Sequence, residues 1–122
     1  MLFGQMQASG RLYLVNKHSR PAKTIDPRKP QTVDVFIGRP SPLGNKYILG
    51  VHGDRDMVCD RYDRWIRRRI KKRNTRILAA LYGIINKLDS GHDVALVCFC
   101  HPHRCHGLSV IKQIKRLRKV QT

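Results

Sequence analysis

The chain has 122 residues and carries 25 Lys and Arg against eight acidic residues, all of them Asp, for a formal net charge of +17. Its length suits one domain over residues 1–122, and a hydrophobic content of 41% supports a packed core, which excludes a disordered basic tail. The chain shows neither the ~20-residue apolar run of a membrane-spanning helix nor a signal peptide, so we expect a cytoplasmic protein without a membrane partner.

The first half of the chain predicts two strands, each followed by a proline-containing loop. Residues 11–18 begin with alternating apolar positions, as a strand does, and residues 19–31 contain three prolines among polar residues. Residues 32–38 (TVDVFIG) are rich in β-branched and aromatic side chains and predict a second strand. The following segment, RPSPLGN at 39–45, predicts a rigid non-helical loop.

The second half predicts two helices, a buried strand and a last helix. Asp54 is a good N-cap for a helix to about residue 72, and a second helix follows Asn74 and ends near residue 90. Residues 93–99 form a continuous apolar run typical of a central strand. The expected core positions of the first helix are Met57, Val58, Cys59, Tyr62, Trp65, Ile66 and Ile70, and those of the last are Leu108, Ile111, Ile114 and Leu117.

This order of elements predicts a small single-domain α/β protein with a Rossmann-like fold, its partly parallel sheet flanked by helices. The strands at 32–38 and 93–99 are expected to be parallel neighbours joined by the two helices. Ligands of such sheets bind beyond the carboxyl ends of the strands. The loops GRPSPLGN at 38–45 and CFCHPHRCHG at 98–107, which leave these two strands, should therefore share one rim.

The first loop contains residues suited to ligand binding. Gly38 and Gly44 allow the backbone to approach a ligand closely, and Arg39 could bind a phosphate or carboxylate with its planar guanidinium. Ser41 and Asn45 could donate or accept hydrogen bonds with a sugar or base. The alternative is a stiff proline-rich turn in which Asn45 caps its own backbone.

The second loop holds three of the four cysteines of the chain and leaves three interpretations open. Cys98, Cys100, Cys105 and His106 could bind zinc, since thiolates and imidazoles are its preferred ligands. Alternatively, Cys105 and His106 could be catalytic, because a helix start and a neighbouring Arg104 favour a reactive thiolate, and Arg104 could also bind phosphate. The third interpretation is buried cysteines beside a helix cap.

The large positive charge indicates a polyanionic partner. DNA or RNA is the leading candidate, because cationic side chains on phosphates release condensed counterions, and an acidic protein surface is the alternative. The predicted nucleic-acid contacts on the first helix are Arg64, Arg67, Arg68, Arg69, Lys71, Lys72 and Arg73. Those on the basic end of the last helix are Lys112, Lys115, Arg116, Arg118 and Lys119.

Five segments of the chain resemble DUF4326, a family of short uncharacterised domains from bacteria and their phages. They are VNK at 15–17, DVFIGR at 34–39, SPLGN at 41–45, DRD at 54–56 and C-x-C-x-P-x-x-C-H-G at 98–107. The resemblance covers about residues 12–114, although Lys46 stands where the family usually has proline, and the family is not especially basic. The Cys-His-Gly segment is also similar to DUF488.

The resemblance implies no activity, but it adds Arg55 to the expected rim residues and is consistent with a phage origin. We therefore predict a phage-encoded nucleic-acid-binding domain of the host bacterial cytoplasm, with a rim that binds a nucleotide or phosphate. A first alternative is an inhibitor or modulator that binds an acidic host protein. A second is an enzyme that processes nucleotides or nucleic acid with Cys105 and His106.

Overall fold

The computed structural model describes residues 10–17, 32–99 and 103–121. The strands are β1 (Leu12–Asn16), β2 (Val33–Phe36) and β3 (Val94–Cys98), and the helices are α1 (Arg55–Lys71), α2 (Thr75–Asp89) and α3 (Gly107–Gln121). The order of elements agrees with the prediction, and the predicted loop at 19–31 lies outside the described residues. Within the described ranges, no helix has the length and apolar character needed to cross a membrane.

The three strands form a parallel sheet in the order β1-β3-β2. All five residues of β3 are buried, because it has a neighbour on each side and helices cover the sheet, whereas β1 and β2 are half-buried edge strands. The prediction that β2 and β3 are parallel neighbours is confirmed, with Val33 opposite Val94. The protein is a small α/β domain consistent with a Rossmann-like fold.

Side-chain caps define where the first two helices begin. The Asp54 carboxylate accepts a hydrogen bond from the Met57 amide at 2.9 Å, and the Asn74 side chain accepts one from Ile77 at 3.1 Å. The core face of α1 is carried by Val58, Cys59, Tyr62 and Ile66. Met57, which the periodicity assigned to the core, is 49% exposed, because it lies one helical step away from that stripe.

The start of α3 packs closely on the middle of β1 and on the residue that follows β2. A Cβ added to Gly107 would lie 2.5 Å from Leu14 Cδ1 and 3.1 Å from Ile37 Cδ1, so glycine is required for this approach. This contact fixes the rotation of α3 and directs Val110 and Ile114 into the core. Leu108 was predicted on the core face and is instead 54% exposed.

Tyr62 joins α1 to the loop after β2. Its side chain is fully buried, and its hydroxyl donates a 2.7 Å hydrogen bond to the Leu43 carbonyl. Burial raises the pKa of Tyr62, and the nearby Cys105 raises it further, so the phenol remains a donor throughout the ordinary pH range. One buried hydrogen bond thus holds the loop at 38–45 against α1.

We expect Tyr62→Phe to lower the free energy of unfolding by about 1–2 kcal/mol, because the buried Leu43 carbonyl would lose its donor. Urea unfolding followed by circular dichroism measures this change. Tyr13→Phe is the matched control, since Tyr13 is 41% exposed on β1 and should change stability very little. Equal stabilities for the two variants would contradict the role assigned to the Tyr62 hydroxyl.

Candidate functional site

A cavity of about 320 Å³ lies beyond the carboxyl ends of β2 and β3, and we call it the rim cavity. Both loops that follow these strands contribute to its wall, as does the first turn of α1. Its described lining residues are Gly38, Arg39, Asn45, Tyr47, Leu49, Arg55, Val58, Cys59, Phe99, His103, Arg104, Cys105 and His106. The parallel arrangement of β2 and β3 explains why segments about 60 residues apart in sequence meet here.

Two residues predicted to bind a ligand maintain the first loop and do not line the cavity. The Ser41 amide donates to the Gly38 carbonyl at 2.8 Å, and the Ser41 carbonyl accepts from the Gly44 amide at 2.9 Å. A Cβ on Gly44 would lie 2.9 Å from the Arg39 nitrogen and the Gly38 oxygen. Ser41 and Gly44 therefore form a compact turn, which leaves Gly38 and Arg39 on the cavity wall.

Asn45 lines the cavity, but both ends of its amide have protein partners. Its Oδ1 accepts a hydrogen bond from the Tyr47 amide at 2.9 Å, which closes a turn two residues long. Its Nδ2 donates to the Val58 carbonyl at 3.2 Å and so attaches the loop to α1. The arrangement matches the alternative in which Asn45 caps its own backbone.

Arg104 fastens the second loop to α1 through both its side chain and its backbone. Its guanidinium pairs with Asp60 at 2.7 Å and Asp56 at 2.9 Å, and these hydrogen bonds, the one to Asp60 foremost, raise the pKa of Arg104. Its carbonyl accepts a hydrogen bond from Arg55 at 3.3 Å. Two carboxylates already neutralise Arg104, so they would compete with the phosphate that it was predicted to bind.

Cys105 and His106 lie side by side at the start of α3 and are both buried. His106 Nε2 lies 2.7 Å from the Ile37 carbonyl, which accepts its hydrogen and leaves Nδ1 as the unprotonated nitrogen. That Nδ1 lies 3.6 Å from Cys105 Sγ, and Sγ also accepts a hydrogen bond from the Gly107 amide at 3.3 Å. The imidazole is therefore oriented to accept a proton from the thiol.

The described part of the chain holds no group of three His, Cys or Asp side chains placed to bind one metal ion. Of the predicted zinc ligands, Cys98 is buried at the end of β3, whereas Cys105 and His106 begin α3. Cys100 lies outside the described residues. Zinc binding by Cys98, Cys100, Cys105 and His106 thus stays a prediction.

A second concavity, of about 600 Å³, lies between α1 and α3, and we call it the basic groove. Its described lining residues are Arg64, Arg67, Arg68, Ile70, Lys71, Gln113, Arg116 and Leu117. The four cations on α1 are spaced at i, i+3, i+4 and i+7, which places them on one face of the helix. The groove therefore collects charge from both basic helices.

A cavity of about 420 Å³ continues the basic groove toward the rim cavity. It shares Arg64 and Arg67 with the groove, and Cys59, Arg104 and Cys105 with the rim cavity. Its wall also includes the predicted nucleic-acid contact Lys112 and the carboxylates Asp60 and Asp63. The three concavities thus form one path along α1.

Half of the predicted nucleic-acid contacts lie outside this path, namely Arg69, Lys72, Arg73, Lys115, Arg118 and Lys119. Arg118 pairs with Asp89 at 2.9 Å, and the Arg69 guanidinium lies 5.9 Å from the centre of the Trp65 ring. Arg73 has a φ of 58° at the turn between α1 and α2. Charge alone could not separate these residues from those that line the groove.

The cavity walls also include side chains that the sequence did not single out. Tyr47, Leu49, Phe99 and His103 line the rim cavity. Phe99 and His103 belong to the second loop, so including every residue of that loop would have found them. Gln113 lines the basic groove, is 2% exposed, and has no hydrogen-bond partner for its Nε2 within the described structure.

We expect the stability of the protein to decrease as the pH falls below about 6.5. Burial lowers the pKa of His106 in the folded state, and Arg39 lowers it further against the opposing Ile37 hydrogen bond. The unfolded chain therefore binds the proton first, so stability is greatest above the unfolded pKa of about 6.5 and falls toward the folded pKa. Urea unfolding between pH 7.5 and 5.5 measures the loss.

His106→Gln should reduce this pH dependence, whereas His103→Gln should preserve it, since His103 is exposed. A pH dependence that is identical in the wild type and in a folded His106→Gln variant would exclude His106 as its source.

Comparisons with known proteins identify the family of the chain. The model of the family described as "Domain of unknown function (DUF4326)" matches residues 21–116, which is more than half of the chain. The matched range includes both loops of the rim cavity and most of α3. A search of curated proteins found no match, and neither did a search of solved structures. The chain belongs to the DUF4326 family.

Proposed function

We propose that this domain binds nucleic acid along the basic groove and holds a nucleotide or phosphate group in the rim cavity. The observation that carries the proposal is the composition of the groove. Five of its eight described lining residues are Arg or Lys, they come from two helices, and no carboxylate is among the eight. Arg67 pairs with Asp63 at 3.2 Å, and the other four cations have no carboxylate partner among the described residues. A surface of this kind suits an extended polyanion.

The groove has the dimensions and chemistry for contacts with a phosphate backbone. Helix α1 has 17 residues and is therefore about 25 Å long, enough to follow several consecutive phosphates. Arg and Lys side chains at such a surface fix the position of a backbone without identifying its bases. Ile70 and Leu117 add apolar surface for sugars or base edges. The same contacts are available to DNA and RNA.

The cellular context of the proposal follows from the family resemblance and the charge. We place the protein in the bacterial cytoplasm, encoded by a phage, where nucleic acid is the most abundant polyanion. An acidic host protein would satisfy the same charge, and the chain would then act as an inhibitor or modulator. Nucleic acid would present regularly spaced phosphates to the groove, whereas an acidic protein would not.

The affinity for nucleic acid should depend on the groove cations more than on other cations of the same helices. We expect Arg68→Ala/Arg116→Ala to weaken binding and to reduce the slope of log K against log salt by about 1.8, since each lost phosphate contact on B-DNA contributes about 0.9. Lys72→Ala/Lys115→Ala removes the same charge outside the groove and should change the slope much less. Fluorescence anisotropy of labelled DNA and RNA oligonucleotides across a salt series measures both.

Two outcomes would contradict the proposal. Equal effects of the two double variants would show that net charge matters and that the groove does not. Weak binding of the wild-type protein to every oligonucleotide would exclude nucleic acid as the partner. A pull-down from bacterial lysate that survives nuclease treatment would then support the acidic host protein.

A second candidate function is an enzyme that processes nucleotides or nucleic acid, and the Cys105–His106 contact favours it. The neutral imidazole faces the thiol at 3.6 Å, and the Gly107 amide donates to the sulfur. Both side chains line the rim cavity, where a ligand could reach them. Because burial keeps His106 neutral, the pair would act as a thiol and a base and not as a preformed ion pair.

If the protein has such an activity, Cys105→Ser should abolish turnover of a nucleotide or oligonucleotide substrate while the fold is preserved. Cys59→Ser is the matched control, since Cys59 is a second buried thiol of the same cavity, and its Sγ donates to the Arg104 carbonyl at 3.7 Å. Turnover that survives Cys105→Ser would exclude thiol catalysis. Product analysis by chromatography measures the activity, and circular dichroism verifies folding.

A further inference from the structure

The rim cavity has a positive charge that its own protein contacts do not neutralise. Arg39, Arg55 and Arg104 line it, and no carboxylate is among its described lining residues. Arg104 is paired with Asp56 and Asp60, whereas no acidic side chain of the described chain pairs with Arg39 or Arg55. Arg39 and Arg55 thus carry charge that no described carboxylate neutralises, while one N–H of Arg55 is donated to the Arg104 carbonyl.

Two uncompensated arginines are better matched to a terminal phosphate than to an internal one. A phosphate monoester carries a charge of about −1.5 to −2 at pH 7, and it has three oxygen acceptors. A phosphodiester in the middle of a strand carries a single negative charge. Since each guanidinium can form paired hydrogen bonds with phosphate oxygens, Arg39 and Arg55 together suit the dianion.

Another part of the cavity wall is aromatic and apolar, which suits the base of a nucleotide. Tyr47, Leu49 and Phe99 line the same cavity, and Leu49 and Phe99 are 50% and 47% exposed. Aromatic and apolar side chains beside a cationic group are the usual surface for a base of single-stranded nucleic acid. The volume of about 320 Å³ is at the lower end for small-molecule sites and suits one nucleotide.

The position of the rim cavity beside the basic groove indicates that the nucleotide belongs to a nucleic-acid strand bound in the groove. The intermediate cavity shares residues with both, and all three lie along α1. From Lys71 in the groove to Arg55 at the rim the helix extends about 24 Å. A strand that follows the groove in this direction arrives at the rim cavity.

We propose that the rim cavity binds the phosphorylated terminal nucleotide of a nucleic-acid strand whose preceding phosphates lie in the basic groove. Arg39 and Arg55 bind the terminal phosphate, and the terminal base lies against Tyr47 or Phe99. This inference rests on the proposed function, and it adds that the domain binds strand ends in preference to internal segments.

The experiment compares one labelled oligonucleotide sequence in three forms: with a 5′-phosphate, with a 3′-phosphate, and with hydroxyl groups at both ends. We expect a phosphate at one of the two ends to increase affinity at least about tenfold, the net effect of one charge-assisted hydrogen bond. Arg39→Ala should remove that increase, as should Arg55→Ala. Arg68→Ala/Arg116→Ala should weaken all three complexes and preserve their ratio.

The controls separate a local effect from a loss of net charge or of folding. Arg11→Ala removes one charge just before β1, at the opposite end of the sheet, and should leave the tenfold ratio unchanged. Arg55 donates a hydrogen bond to the Arg104 carbonyl, so its variant is first tested for folding by urea unfolding. Arg39 is exposed and lines the cavity, and Arg39→Ala provides the test if the Arg55 variant is unstable.

The outcomes distinguish this inference from the proposed function. Equal affinities for all three forms, with binding that still depends on Arg68 and Arg116, would overturn the inference and leave the proposed function intact. A phosphate effect that persists in Arg39→Ala would also overturn it. Failure of the wild-type protein to bind any of the three forms would overturn both.

Discussion

The close contact of the start of α3 with β1 and with the residue that follows β2 governs the rest of the structure. His106 Nε2 donates to the Ile37 carbonyl at 2.7 Å, and Gly107 approaches Leu14 so closely that no Cβ would fit. These two contacts fix both the position and the rotation of α3. As a result, Val110 faces the core, and Lys112 and Arg116 line the concavities beside α1. The rim cavity and the basic groove are both consequences of this arrangement.

The few carboxylates of the chain have structural roles that leave positive charge in the rim cavity and the basic groove. Asp56 and Asp60 pair with Arg104, Asp63 pairs with Arg67, Asp89 pairs with Arg118, and Asp54 caps α1. These exposed ion pairs contribute little to stability individually, but they determine where positive charge stays uncompensated. In the groove, four α1 cations and one from α3 lie on a surface whose described lining has no carboxylate. Of these five cations, Arg67 is paired with Asp63, and the other four have no carboxylate partner among the described residues.

In the two loops of the rim cavity, some residues maintain the shape of the loop and others face the cavity. Ser41, Gly44 and Asn45 hold the first loop in shape through backbone and amide hydrogen bonds. Arg104 holds the second loop on α1 with both its guanidinium and its carbonyl. The family motifs at these positions thus include residues that build the wall, while Arg39 and the Cys105–His106 pair face the cavity.

Local chemistry was sufficient to predict the elements, their order and the edge of the sheet at which the two loops meet. Caps such as Asp54 and Asn74, the β-branched run at 32–38 and the apolar run at 93–99 act over a few residues, so the sequence by itself determines them. The rule for parallel sheets then places both loops at one rim. The rotation of α3 could not be obtained in this way, because stripes through Leu108 and through Val110 are both apolar at helical spacing.

Only the tertiary structure decided which side chains are partners and which face a cavity. Arg104 meets Asp56 and Asp60 across 48 and 44 residues, and no local pattern encodes such a pairing. The same applies to the cations, since Arg68 and Arg69 are neighbours in sequence and only Arg68 lines the groove. The periodicity of the sequence indicates which residues share a face of a helix. Long-range packing determines which other element that face contacts. The sequence therefore determined the charge and the elements, and the packing of the elements determined which charged side chains line a cavity.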